Sequence, residues 1–285
     1  MIFTKLSPKQ LKSMLWWAQK DTHNYDAIVC DGSVRSGKTM SMSIGFILWS
    51  GRNFNGENFA FCGKTIDSLK RNVVTPLQKW LEGVAKLKIN LSKNYMDITF
   101  NNHTNRYYMF GGKDESSYQL IQGITLAGVL FDEVALMPRS FVEQALARCS
   151  VTGSKFWFNC NPEGPEHWFY KTWILEAEKR NCLRLQFTME DNPSLTEGIR
   201  ERYRRLYTGV FYQRYILGQW VQAEGRVYDF FTPDMLRSAP EGCQDWYISC
   251  DYGTVNPTSM GLWGRKGESW YRVAEFYFDS RREKR

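Results

Sequence analysis

Apolar positions along the chain fall into two recurring spacings. Short, nearly unbroken runs, "DAIVCD" at 26–31, "NFAFCG" at 58–63, "LAGVLFDE" at 126–133 and "KFWFNCNP" at 155–162, predict strands buried on both faces. Helical spacing lies between them. It predicts a helix over 7–20, with Ser7 as N-cap, Pro8 in the first turn and Leu11, Met14, Leu15 and Ala18 on one face. Further helices are expected from about Lys38 to Ser50, over 65–88, and at about 139–149 and 163–180. Strict alternation at 96–100 and 106–110, separated by the turn-forming "NNHTN", predicts a hairpin inserted in this pattern. Strands alternating with helices predict an α/β fold, a mostly parallel central sheet flanked by helices, with ligand loops at its carboxyl edge.

From 191 to 220 the chain becomes helical, basic and tyrosine-rich, and the next stretch carries glycine and proline with little periodicity. Three alternating segments follow, "WYISCDYG", "TSMGLWGRK" and "SWYRVAEFYFD", which predict a β-meander. These shifts place domain boundaries at 1–222, with a lid over 191–222, then a linker at 223–245 and a second, incomplete domain at 246–285.

Composition narrows the class. The 285 residues are 43% hydrophobic and 15% aromatic, as a folded globular chain should be, and the formal net charge of +7 favours a polyanionic partner such as nucleic acid. Seven cysteines form no CxxC pair and the three histidines lie far apart, so zinc-ligand spacing is absent. Scattered cysteines suit reduced thiols, and no window approaches the roughly 18 apolar residues of a spanning helix, so the expectation is a cytoplasmic protein with no membrane partner.

The chemistry concentrates after the first buried run. Gly32-Ser33-Val34-Arg35-Ser36-Gly37-Lys38-Thr39 satisfies G-x-x-x-x-G-K-[ST] between a predicted strand and a predicted helix, the context in which backbone N–H groups cradle phosphate. This is the loop of a P-loop NTPase, and it implies ATP and Mg²⁺: Lys38 reaches the β/γ oxygens and Thr39 ligates the metal. Asp132, at the tip of a later apolar run, is placed to hold the Mg²⁺ water shell, and Glu133 to polarise an attacking water. Asn159 and Asn161 end the next strand, either as amides that report hydrolysis or as an Asn-Pro turn. Gln10 is either a reader of the adenine edge or a solvated helix glutamine. Arg35 either neutralises charge on the γ-phosphate or faces solvent or a neighbouring acid, and Arg148 is a further candidate for reaching a neighbouring subunit. The run "RERYRRLY" at 200–207 is either a DNA-tracking surface or a solvated helix face.

With "GSVRSGKT", "VLFDE", "FNCNPEGPEHWFY", "DNPSL" and "ILGQWVQAEGRVYDFF" in this order, the chain resembles the large terminase subunit of tailed double-stranded DNA bacteriophages or related prophages. The resemblance runs from about residue 7 to the end. It implies a packaging ATPase followed by a nuclease similar to ribonuclease H, which cuts concatemeric genomes with Mg²⁺ or Mn²⁺. It also implies a portal protein, a small terminase subunit and double-stranded DNA as partners. The active form would be a homo-oligomeric ring, a pentamer, at the procapsid portal in the host cytoplasm, with the chain a monomer in isolation. Lys38, Thr39, Asp132 and Glu133 then take the roles argued above, Asn161 falls in the coupling motif, and Asp251 in "ISCDYG" matches the first metal-binding aspartate of the nuclease. Two positions depart from the family pattern: Val34 stands where relatives often carry the loop arginine, with Arg35 next to it, and Gln122-Gly123 replaces an arginine-glycine pair. The chain stops after three strands, so a partial ribonuclease-H-like meander, weak metal binding at Asp251 and no DNA cleavage are expected; Glu275 and Asp279 lie on the third strand. Without the resemblance, two other readings remain, a helicase-like nucleic-acid ATPase and a nucleotide-switched DNA-binding module.

Overall fold

The computed structural model describes residues 5–222, 235–236, 238, 240–253 and 257–279. The chain divides into two compact units, Met1–Glu224 and Gly225–Arg285. The expected 223–245 linker lies largely outside the described residues.

The first unit begins with α1 (Pro8–Leu15), β1 (Ala27–Gly32), α2 (Lys38–Asn53) and β2 (Asn58–Gly63). It continues through α3 (Ile66–Leu69), α4 (Thr75–Trp80), β3 (Lys86–Asn90), β4 (Tyr95–Phe100), β5 (His103–Gly111), β6 (Gly128–Asp132) and α5 (Arg139–Ala147). It ends with β7 (Lys155–Cys160), β8 (Cys182–Phe187), α6 (Glu197–Leu206) and α7 (Gly209–Tyr215). The eight strands form one sheet in the order β3-β4-β5-β2-β6-β7-β1-β8. From β5 to β8 every pair is parallel, while β3 and β4 extend the sheet in antiparallel fashion.

Alternating side chains of each inner strand enter different cores. Ile28 and Cys30 of β1 join Trp16, Phe46, Trp49, Phe61 and Trp157 on one face. Ala27 and Val29 join Phe131, Phe141, Phe158, Phe169 and Trp173 on the other. This double burial explains why the inner strands read as unbroken apolar runs. Parallel pairing puts the loop after β1 at the carboxyl edge, beside the ends of β6 and β7.

Four local expectations need correction. Helix α1 ends at Leu15, not residue 20, and buries Gln10, Ser13 and Met14 while Leu11 is 40% exposed. Its register is set by α2: Ser13 Oγ donates to Ser41 Oγ at 2.7 Å, and a Cβ on Gly45 would lie 2.6 Å from the Met14 carbonyl oxygen. The helix expected over 65–88 holds a π turn at Lys70–Val74 and stops at Trp80. Gly83, at φ 78°, turns the chain into β3, whose Leu87 and Ile89 pack on the first core while Lys86 and Lys88 are exposed. Within 163–180 the chain forms the π turn Tyr170–Ile174 instead of one long α-helix. Strand β8, which the pattern did not predict, then pairs with β1 as the half-exposed sheet edge.

The second unit is a three-stranded antiparallel sheet of β9 (Trp246–Asp251), β10 (Thr258–Lys266) and β11 (Ser269–Phe278), in the order β11-β10-β9. All residues of β9 are exposed. Among the described residues, no helix is long and apolar enough to cross a membrane.

Candidate functional site

The loop between β1 and α2 needs its two glycines where they stand. Gly32 has φ 134°, and a Cβ there would lie 2.0 Å from the Phe187 carbonyl oxygen. Gly37 has φ 87°, and its Cβ would meet Gln10 Nε2 at 2.3 Å. Both positions sit in the left-handed half of backbone space and against another chain segment, so only glycine fits. Gly37 is also the N-cap of α2 and supplies no side-chain cap, leaving first-turn N–H groups for an external acceptor. Arg35 is held left-handed too, at φ 60°.

A cleft of about 540 Å³ opens at this edge, lined by residues 34–40 of the loop and helix start together with Asn72, Trp80, Asp132, Glu133, Asn159, Asn161 and Asn192. Lys38 is buried at its centre. Its ammonium donates to the carbonyls of Gly32 (3.1 Å) and Ser33 (2.7 Å), to Ser36 Oγ (3.3 Å) and to Asn161 Oδ1 (3.2 Å). Burial lowers the Lys38 pKa, against the pull of Glu133.

Three side chains from three elements converge beside it. Thr39 Oγ1 donates to Asp132 Oδ1 at 3.1 Å, and Asn159 Nδ2 donates to that same oxygen (2.6 Å) and to Thr39 Oγ1 (2.8 Å). Asn159 Oδ1 is buried with no hydrogen-bond partner. A hydroxyl, a carboxylate and an unpaired buried amide oxygen form a hard-oxygen donor set that suits Mg²⁺ and its water. Burial pushes the Asp132 carboxyl above its ordinary range.

Glu133 follows in the left-handed conformation, φ 61° and ψ 51°, which costs a non-glycine residue about 1–3 kcal/mol. That bend turns its carboxylate toward Asn161, whose side-chain Nδ2 donates at 2.9 Å and whose backbone N–H donates at 3.3 Å. Burial, followed by repulsion from Asp132, pushes Glu133 up to about 7.

The remaining expected site residues divide. Ser36 and Val34 line the cleft; Ser33 lies beneath it, its N–H donating to the Phe187 carbonyl at 2.9 Å. Gln10 does not reach the cleft. It is 1% exposed, not solvated: Oε1 accepts from Ser7 N–H at 3.1 Å and Nε2 donates to the Ser36 carbonyl at 3.1 Å, so the amide braces the loop from below. Arg35 Nε donates to the Tyr203 hydroxyl at 3.0 Å, and its carbonyl accepts from Asn192 Nδ2 at 2.7 Å. Arg148 caps the end of α5 with its Nε buried and unpartnered. In the second unit Asp251 ends β9 on the exposed surface, and Glu275 pairs with Arg272 at 3.1 Å. Among the described residues, no group of three or more His, Cys, Asp or Glu is arranged to hold a metal ion.

Periodicity gave no sign of Asn72 and Trp80, which reach the cleft because the π turn and the helix end after it lie over the carboxyl edge. Asn192 carried a faint signal in its Asn-Pro pair, which marks a turn.

Comparison with known proteins gives one direction. Residues 29–232 match the family model described as terminase large subunit, T4likevirus-type, N-terminal. The large terminase from a thermophilic bacteriophage is 52% identical, with a TM-score of 0.76, over 98% of this chain and 70% of that one. The same phage protein in complex with ATP-gamma-S matches at 50% identity and a TM-score of 0.74, over 98% of this chain and 69% of that one. The large terminase ATPase domain of Thermus phage P74-26, 16% identical with a TM-score of 0.56 over 73% of this chain and 92% of that one, shares the fold. No match was found among curated proteins.

Proposed function

This chain belongs to the phage terminase large subunits, and from that premise we propose that it is an ATP-hydrolysing motor subunit that translocates double-stranded DNA into a procapsid. One observation carries the enzymatic part. Lys38, Thr39, Asp132, Glu133 and Asn161, drawn from three separate stretches of sequence, meet in one cleft at hydrogen-bonding distance.

The loop amides from Arg35 to Thr39 hold the phosphates, because the Ser33 and Val34 N–H groups expected to join them already donate to the Phe187 and Tyr215 carbonyls, and Lys38 exchanges its neutral acceptors for β- and γ-phosphate oxygens. Thr39 and Asp132 would hold Mg²⁺, with Asn159 ordering its water. The metal, when bound, neutralises charge on the phosphates and the leaving group. Glu133 accepts the proton of the attacking water; a carboxylate held near neutrality is matched to that task. Asn161 aims Glu133 and contacts Lys38, so one amide touches both the base and the phosphate-binding ammonium. Arg35 lines the cleft and would meet charge on the γ-phosphate on leaving the Tyr203 hydroxyl.

The helices at 191–222 serve as the lid that converts turnover into movement of DNA, and the net charge of +7 supports contact with a polyanion. Portal protein, small terminase subunit and a ring of copies are the partners of that motor. In the second unit Asp251 would bind Mg²⁺ or Mn²⁺ weakly as one carboxylate of a ribonuclease-H-like site, and this chain should not cleave DNA.

The test is ATP hydrolysis with and without linear duplex DNA, in wild type and Glu133→Ala. Wild type should turn over and respond to DNA. The variant should still bind nucleotide and lose turnover by roughly 10² or more. Absence of hydrolysis in wild type would overturn the ATPase reading; unchanged hydrolysis in the variant would remove Glu133 from the mechanism.

A further inference from the structure

The phosphate loop has a second set of partners on the side away from the cleft. Asp31, the residue just before Gly32, is wholly buried, and its carboxylate accepts three hydrogen bonds. Arg184 of β8 forks onto it, Nε to Oδ1 at 3.0 Å and Nη2 to Oδ2 at 2.9 Å, and Trp220 Nε1 donates to Oδ2 at 2.9 Å. Trp220 arrives there on a short strap. Val34 N–H, inside the loop, donates to the Tyr215 carbonyl at 3.0 Å, and Gln186 Nε2 donates to the Gly218 carbonyl at 2.8 Å. Gly218, at φ 67°, lies so close that a Cβ would stand 3.0 Å from both Gly32 Cα and Ser33 N.

The other side of the strap faces the segment after Asn161. The Trp220 ring lies 5.0 Å from that of Tyr170 and 6.1 Å from that of His167. Arg214 Nη1 donates to Glu163 Oε2 at 2.9 Å, while its Nε and Nη2 hold the Val221 carbonyl. Residues 214–221 therefore touch the loop that would bind phosphate and the segment that follows the amide aiming Glu133.

We propose that Trp220 is a positioning residue for nucleotide: its N–H on Asp31 latches the strap 215–220 against the back of the phosphate loop and couples loop geometry to the 161–170 segment. This rests on the ATPase reading for its consequence, but the latch itself is testable without turnover. The indole ring packs in the second core, and phenylalanine would retain most of that area, so Trp220→Phe isolates the hydrogen bond. Losing it frees Val34 and its neighbours to sample loop conformations that do not grip phosphate, which weakens nucleotide capture more than the chemical step.

Two measurements test this. Amide hydrogen exchange of the nucleotide-free protein should quicken over residues 28–41 in Trp220→Phe while peptides from β2 and β6 stay unchanged. Steady-state ATP hydrolysis should show KM for ATP raised about tenfold, the equivalent of one charge-assisted hydrogen bond, with kcat within about twofold. Gln186→Ala, which cuts the strap's tie at its exposed edge, should move both readouts in the same direction and carries the test if Trp220→Phe does not fold. Unchanged exchange over 28–41 overturns the latch whether or not the protein hydrolyses ATP. Quickened exchange with KM unchanged in an active enzyme overturns the coupling. A wild type without ATPase activity, with quickened exchange in the variant, would leave the latch standing and sink the functional reading instead.

Discussion

Two acidic positions flank β7 at the carboxyl edge of the sheet, and they are buried alike but answered differently. Asp31 is the next-to-last residue of β1 at 0% exposure, and Asp132 ends β6 at 4%. Asp31 meets a guanidinium fork and an indole N–H, three donors of which two belong to one positively charged group. Asp132 and its neighbour Glu133 meet neutral donors, the Thr39 hydroxyl and the amides of Asn159 and Asn161. Burial consequently pushes both Asp132 and Glu133 upward. A folded chain that keeps two adjacent carboxylates buried, with the Lys38 ammonium nearby but no cationic hydrogen-bond donor on either and one of them in a left-handed backbone conformation, carries a cost that a bound cation relieves. Asp31 is answered by the protein; the other pair is left to be answered by a ligand.

The sharpest way to break this contrast is to remove Asp31. Asp31→Ala strips Arg184 of its partner and leaves the Trp220 N–H buried without an acceptor, so it should cost about 3–5 kcal/mol of unfolding free energy. Urea unfolding with an unchanged denaturant slope would measure it. A cost below about 1 kcal/mol would mean the Asp31 network is slack, and the contrast with Asp132 and Glu133 would lose its structural half.

The opposite sign is expected at Glu133. Its folded value of about 7 stands above the ordinary 4.5, so the native state holds a proton that the unfolded chain has released. The penalty is absent below about 4.5, grows as pH rises, and is complete above about 7. Glu133→Gln should therefore stabilise the nucleotide-free, chelator-treated protein at pH 8 and lose that advantage toward pH 4.5. Because Glu133 borders an open cleft, screening reduces the gain to about 1–2 kcal/mol. Thermal unfolding of both proteins across this range is the measurement; a variant less stable at pH 8 would show that the carboxylate is already satisfied. The same substitution should remove the base proposed for hydrolysis, so stability and turnover would part ways at one residue.

The two positions were not equally legible. The phosphate loop is contiguous, and Asp132-Glu133 closes a run of apolar residues whose period announces a buried strand, so sequence alone could place these groups at one sheet edge. Asp31 also ends an apolar run, but its partners lie 153 and 189 positions away, one on the unpredicted edge strand β8 and one past two helices. Nothing in local spacing joins residues that only a closed sheet brings together. Gln10 illustrates the same limit. Its position on a helix was legible, yet whether it faced solvent, a base or the loop depended on the closeness of α1 to α2, which Ser13, Ser41 and Gly45 permit.

The smallest expected effect separates charge pairing from burial as the origin of the Asp31 cost. Arg139 and Glu143 of α5 make an ion pair at 2.6 Å, shorter than any of the Asp31 hydrogen bonds named above, but their side chains are 54% and 55% exposed. Water solvates both ions when the pair is broken, and ordering two long side chains costs entropy when it forms. The order along the helix, cation before anion, is also the less favourable one against the helix dipole. Glu143→Gln should thus change stability by no more than about 0.5 kcal/mol, with any effect fading in high salt. A loss above about 1 kcal/mol would show that pairing alone is costly to break in this protein, and the burial of Asp31 would no longer be needed to explain its predicted cost.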